Sequence, residues 1–285
     1  MTSDIATLWR LFPDAVIAGV VVAAVCAVLG VFVILKRVVF IGIALSEVAA
    51  CGIAAAMIAG VHPFVGAGLL TLATVAILAY PFEVNRIPRD AILGIVFVLA
   101  SSLSILLVSQ SGFGLHEVRA LLYGDLILAS QQDLTIILMA LVPVLAAVLA
   151  FLRPMLHTFM DRDGAKVLGI RVVLWELVFF FALGLAVSAA SKVAGALLVF
   201  CYLVVAPSAA LLLSRRLGVV LGLAVLLAVA STLGGLAWAV SRDLPANQTI
   251  AVAACGLLGL ALAWRGVRRL LARGQSKSSA TCDSS

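Results

Sequence analysis

The chain has 285 residues, of which 65% are hydrophobic and 11% charged, with a mean hydropathy of +1.27. A soluble domain carries roughly twice that charge fraction, so the composition excludes one and specifies an all-α, polytopic membrane protein. The net charge of +6 is explained by membrane topology, developed below, and calls for no nucleic acid.

Residues 1–13 form a polar lead, 14–264 a single transmembrane domain, and 265–285 a basic, then Ser-rich cytoplasmic tail with the composition of a disordered segment. The lead is acidic as well as basic (Asp4, Arg10, Asp14), and the apolar run after it is too long for a cleaved signal. The first expected span runs from Asp14 to Leu35 and stops at Lys36-Arg37. The second, Val38 to Ala59, reads VVFIGIALSEVAACGIAAAMIA and ends near Gly60. His62-Pro63 makes a tight connection to a third span, Phe64 to Phe82. A polar stretch from Glu83 to Asp90 leads to a fourth, Ala91 to Val108.

Ser109 to Asp133 is apolar only in short pieces and is interrupted by Gly124-Asp125, which suits a short interfacial or re-entrant helix. A fifth span, Leu134 to Leu152, precedes the main polar loop, Arg153 to Arg171. The sixth and seventh, Val172 to Ala190 and Val193 to Leu213, are expected to join through a solvated turn at Ser191-Lys192. Pro207 lies within the seventh and reads as a kink. The eighth covers Leu217 to Val240 and the ninth Thr249 to Trp264.

Nine spans with the N-terminus outside leave only Arg10, Arg119, Lys192 and Arg242 of the 19 Lys and Arg on the outer side. Treating Arg119 to Ser130 as a true span would switch every later loop and weaken that bias. The positive-inside rule therefore supports about nine transmembrane helices plus one interfacial helix, with the C-terminus in the cytoplasm.

Glu47 is the residue that demands a function. From Val38 the rise to it is roughly 14 Å, near the middle of a hydrocarbon core about 30 Å thick. A carboxylate there faces protein or a water-filled path. It either touches what crosses the membrane or is neutral and hydrogen-bonded to a neighbouring helix. Ile43, Ala50, Cys51 and Ala54 share its helical face. Cys51 pairs with Glu47 at i,i+4, and a carboxylate beside a thiol suits a borderline metal. Cys51 also reads as one of several small residues that permit close helix packing. Cys26, Cys201, Cys255 and Cys282 complete the thiols, with no CxxC pair and no disulfide or zinc framework.

No P-loop is present, so the chain does not hydrolyse ATP itself. Asp125 suits a turn or cap, His116-Glu117 and His62 suit solvated loops, and Glu176 can reach Arg171 or water. Asp161 to Ile170, DRDGAKVLGI, has an acidic start, Ala165 and Leu168 on one side and Gly169 as a stop. That is the pattern of a short amphipathic helix suited to a partner's groove, or of a structural loop helix.

Four segments in order carry a family likeness: Leu35 to Ser46, Asp90 to Phe97, Leu121 to Ser130, and Lys192 to Val199 continuing to Pro207-Ser-Ala209 and Arg215-Arg216. On these the chain resembles the permease subunits of bacterial ABC importers for zinc, manganese and iron, the ABC-3 family. The resemblance implies a homodimer in the bacterial cytoplasmic (inner) membrane. It also implies cytoplasmic P-loop ATPase subunits that carry ATP and Mg, and an extracytoplasmic solute-binding protein. It makes Asp163, Gly164, Ala165, Lys166, Leu168 and Gly169 the helix that couples to the ATPase. Where the family offers an acid and an imidazole to the metal, this chain has Ile43 and Glu47, and Cys51 stands where Pro is frequent. The expected pathway residues are therefore Ser46, Glu47 and Cys51, with Glu47 as the metal ligand. The same departure admits a changed substrate, a metal chelate or an organic solute. A secondary transporter using Glu47 as a proton-coupled carboxylate, and a non-transporting membrane partner, are the other classes the residues allow.

Overall fold

The computed structural model describes residues 13–79, 89–110, 124, 126–128, 130–160, 164 and 172–282. Among them stand nine α-helices and one 3-10 turn, Leu126–Leu128, with no strand. In chain order the helices are α1 (Pro13–Leu35), α2 (Val39–Ala59), α3 (Pro63–Ala79), α4 (Arg89–Gln110), α5 (Gln131–Ala150), α6 (Leu152–Met160), α7 (Val172–Leu213), α8 (Leu217–Arg242) and α9 (Ala246–Cys282). Seven are long and apolar enough to cross a bilayer: α1, α2, α4, α5, α7, α8 and α9. The apolar α3 is shorter, at 17 residues.

α7 has 42 residues, about 63 Å if straight and twice a bilayer core. It is not straight. The Phe179 ring lies 6.1 Å from Phe32, while Leu203 packs against Gly30 on the same turn of α1. A straight helix would hold residues 179 and 203 about 36 Å apart. α7 therefore folds back, at Gly195, whose backbone (φ 72, ψ 160) is the non-helical point in it. Counting both arms of α7, and counting α3, the described residues make nine apolar passes, as the sequence predicts.

Several local expectations are corrected. Ser191 and Lys192 remain helical, and the reversal comes three residues later. Lys192 is not a solvated turn residue: its Nζ sits 2.5 Å from Asp133 Oδ1 and 4.6 Å from the centre of the Phe64 ring. A partner 59 residues away makes the charge compatible with a helical position. Glu176 pairs with Lys36, 3.3 Å away, while Arg171 lies outside the described residues. The polar loop after α5 begins as a helix, α6. α9 continues to Cys282 where composition suggests a disordered tail, because Leu, Ala and Arg between 265 and 275 favour helix. Residues around Pro207 keep helical angles. Pro207 has no N–H, so the Leu203 carbonyl loses its helical donor. That carbonyl faces Gly30 of α1, at a spot a Cβ would fill.

α1 and α7 form the centre. α1 is buried almost continuously from Ala15 to Val33, and the two arms of α7 contact α1, α2, α3, α5, α6, α8 and α9. Tyr202 of α7, fully buried, shares a 2.6 Å hydrogen bond with Thr232 of α8. α2 and α3 form a hairpin closed by Gly60 in the left-handed region (φ 67), and they touch backbone to backbone at Gly52 and Gly66. α4 packs along α2 and lies at the margin of the protomer. Its outward face, with Ile95, Val98, Leu99 and Leu106, is apolar and exposed, as a lipid-facing or subunit-facing surface must be.

Candidate functional site

α2 is built from small residues, and that decides what it can carry. Gly42, Ala44, Ala49, Ala50, Gly52 and Ala54 are all buried, so neighbouring backbones approach closely and longer side chains are pressed into the seams. Glu47 falls in the seam with α4. It is half-buried, eight residues after the first residue of the helix. Ser101 of α4 lies beside it. Its Oε2 atom is buried and has no hydrogen-bond partner among the described residues. A buried carboxylate oxygen without a donor is costly, and it offers a lone pair to any cation or donor that enters.

The other expected pathway residues are placed differently. Ser46 is completely buried, and its Oγ donates to the Gly42 carbonyl at 2.8 Å, one turn back on its own helix. Cys51 is 2% exposed and packs with Val48 against Ala100, Val96 and Leu107 of α4. It is close enough to Glu47 for the two to interact electrostatically. Glu47 and Cys51 thus share the α2–α4 seam, while the Ser46 hydroxyl is engaged within α2. Ile43 is half-buried one turn below Glu47.

Ser101 was not among the residues singled out by sequence. The signal was present: Ser101, Ser102 and Ser104 interrupt an otherwise apolar span, and a hydroxyl at membrane depth needs a partner. Among the described residues no group of three or more His, Cys, Asp or Glu converges. Among the described residues Glu47 is the carboxylate in this seam, with Ser101 beside it.

Of the expected coupling helix, Gly164 is helical and half-buried, and Asp163, Ala165, Lys166, Leu168 and Gly169 lie outside the described residues. Asp125, His116 and Glu117 also lie outside them. His62 stacks on Phe64, with ring centres 5.8 Å apart.

Residues 9–265 match the family model described as ABC 3 transport family. The chain is 30% identical over 261 residues to the manganese transport system membrane protein MntC of Halalkalibacterium halodurans, covering 91% of this chain and 89% of that protein. It is 26% identical over 252 residues to the high-affinity zinc uptake system membrane protein ZnuB of Haemophilus influenzae, covering 88% and 96%. The fold is similar to that of PsaBC from Streptococcus pneumoniae in complex with Fab, with a TM-score of 0.82 and 23% identity over 92% of this chain and 95% of that one. The chain belongs to the ABC 3 transport family and is a multi-pass membrane protein of that class.

Proposed function

We propose that this chain is the permease subunit of an ATP-driven importer for a divalent transition-metal ion (zinc, manganese or iron). It works as a homodimer in the bacterial cytoplasmic membrane. One observation carries the reading: Glu47 holds a buried carboxylate oxygen with no hydrogen-bond partner among the described residues, at mid-helix in a seam at the margin of the protomer. A two-fold axis beside that margin places two such carboxylates on one path and doubles the ligands that a single protomer offers. The manganese and zinc systems named for the relatives support a metal substrate. Hard oxygen ligation by Glu47 and Ser101 favours manganese or iron, and a contribution from the Cys51 thiolate shifts preference toward zinc. Binding at the site is weak, because the ion must also leave.

ATP and its Mg reside on cytoplasmic P-loop ATPase subunits, and an extracytoplasmic solute-binding protein delivers the ion. The segment Asp163 to Gly169 docks on the ATPase. ATP-driven closure moves it and exchanges an outward-open for an inward-open path. The chain itself catalyses no reaction.

The test is reconstitution with the neighbouring ATPase and binding protein in proteoliposomes, screening zinc, manganese, iron and cobalt for uptake and stimulated ATP hydrolysis. One ion is expected to stimulate both, and Glu47→Gln is expected to lower its uptake at least tenfold at unchanged expression. Wild-type uptake by that variant would make Glu47 structural. Ile43 in place of an acid, and the lack of a three-ligand cluster among the described residues, favour one second reading. Under it the complex ignores all four free ions and responds to a metal chelate.

A further inference from the structure

Lys36 sits in the turn between α1 and α2, three residues before the first residue of the Glu47 helix. Its ammonium is 3.3 Å from Glu176 Oε1 at the start of α7. It also lies 4.2 Å from the centre of the Phe180 ring and 4.9 Å from that of Phe159, near the end of α6. The side chains of Lys36 and Glu176 are only 11% and 18% exposed. Beneath the cation, Phe32, Phe159 and Phe179 pack edge to face, with centroids 5.0 to 6.2 Å apart. One charge therefore gathers the end of α1, the turn into α2, the end of α6 and the start of α7.

An anchor needs no ion here, because the three phenylalanines already close the apolar contact. A buried Lys–Glu pair is a poor source of stability and a good source of a fixed geometry. The aromatic faces hold the ammonium on two more sides. α6 ends at Met160, immediately before the segment assigned to the ATPase contact.

We propose that Lys36 is a positioning residue for energy coupling. It links the end of α6 to the root of α2, so that a displacement entering through α6 is delivered to the helix that carries Glu47. The proposal rests on the permease function given above. Phe159 rides with α6, Lys36 rides with the α1–α2 turn, and the cation–aromatic contact and the Glu176 pair hold both against the start of α7.

The experiment compares wild type, Lys36→Met, Lys36→Arg and Glu176→Gln in the reconstituted complex with its ATPase and binding protein. It reads basal ATP hydrolysis, substrate-stimulated hydrolysis, and ions accumulated per ATP consumed. Lys36→Met keeps the length and apolar packing and removes the charge. It is expected to assemble with the ATPase and retain basal hydrolysis within about twofold, while ions per ATP fall at least tenfold. Lys36→Arg, which keeps the cation, is expected to stay within about threefold of wild type, and Glu176→Gln to fall between the two. Equal ions per ATP in wild type and Lys36→Met overturn the proposal. So does a Lys36→Met or Glu176→Gln protein that loses assembly and uptake in parallel at an unchanged ratio, which is the signature of a structural anchor. A wild-type complex without ATP-dependent uptake overturns the permease function instead, so the two failures are distinct.

Discussion

Lys192 and Asp133, 59 residues apart in sequence, meet at 2.5 Å and fix the place where the long helix α7 turns back. Asp133 does two jobs there. Its carboxylate accepts from the Ser130 hydroxyl at 2.8 Å and from the Ser130 N–H at 3.3 Å, while the Ser130 hydroxyl accepts from the Asp133 N–H at 3.2 Å. This is a capping box that starts α5. Nearby, the Asn247 side chain donates to the Ala194 carbonyl at 2.9 Å, satisfying an acceptor that the reversal exposes. The start of α5, the start of α9 and the fold-back of α7 are thus held by three polar contacts at one end of the bundle.

Removing either member of the ion pair leaves the other partly buried without its counter-charge. Asp133→Asn and Lys192→Met are each expected to destabilise the protein by about 2 kcal/mol, as for hydrogen bonds to charged groups. The double variant is expected to lose less than the sum of the two. Thermal unfolding in detergent checks both; additive losses would mean that the residues act independently.

Gly195 has φ 72 and ψ 160, a region open in practice to glycine alone. Gly124, itself at φ 60, packs its backbone against Gly195 N and Ala194 C. Gly195→Ala is expected to cost about 1–3 kcal/mol. Gly124→Ala is expected to do the same by pushing the fold-back outward. Loss of folded yield on size-exclusion chromatography, together with a lower melting temperature, is the readout.

The Gly30 position shows a different constraint. A Cβ there would overlap the Leu203 carbonyl carbon and Cα, at 2.7 and 2.8 Å, and both are backbone atoms that cannot rotate away. Gly30→Ala is expected to destabilise by about 1–3 kcal/mol through overpacking. Gly222→Ala, with nothing within 4 Å of its added carbon, is expected to gain up to about 1 kcal/mol from helix propensity. Opposite signs for the same chemical change are checked in one melting experiment.

Ser101 lies beside the Glu47 carboxylate, and its loss is expected to weaken transport without abolishing it. Ser101→Ala is expected to lower uptake at subsaturating substrate about tenfold, the equivalent of one hydrogen bond to a charged group. Ser101→Thr is expected to restore most of it. Concentration-dependent uptake in proteoliposomes measures both, and an unchanged Ser101→Ala profile would detach Ser101 from the site.

The permease alone, in liposomes with an imposed proton gradient and no ATPase, is expected to accumulate no metal. Gradient-driven uptake that Glu47→Gln removes would favour a proton-coupled secondary transporter.

Much of this architecture was legible in the amino-acid order. Apolar length alone places the passes, because a bilayer demands about 20 residues of helix each time. The mid-helix place of Glu47 follows from its position in the second run. What the order could not convey were partners distant in sequence. Lys192 looks solvated until Asp133 is beside it, and nothing in the order pairs Glu176 with Lys36, 3.3 Å away. Reading Lys192 as solvated treats a charge near a span end as a loop marker, whereas a paired charge stays helical. Ser46 and Glu47 are adjacent in sequence and point to different neighbours, since successive residues on a helix lie about 100° apart. The seam that unites Glu47 with Ser101 required knowing which helix lies against α2.

The contact between Gly52 and Gly66 sets the spacing of the α2–α3 hairpin. With the Gly66 carbonyl 2.5 Å from where a Cβ on Gly52 would stand, any side chain at that position would wedge the two backbones apart. Around this point Ala49, Ile53 and Ala67 close the hairpin with apolar side chains. The opposite side of α2 packs on α4 through Val48, Cys51 and Ala100. A wedge at Gly52 would therefore be felt on the side on which Glu47 lies.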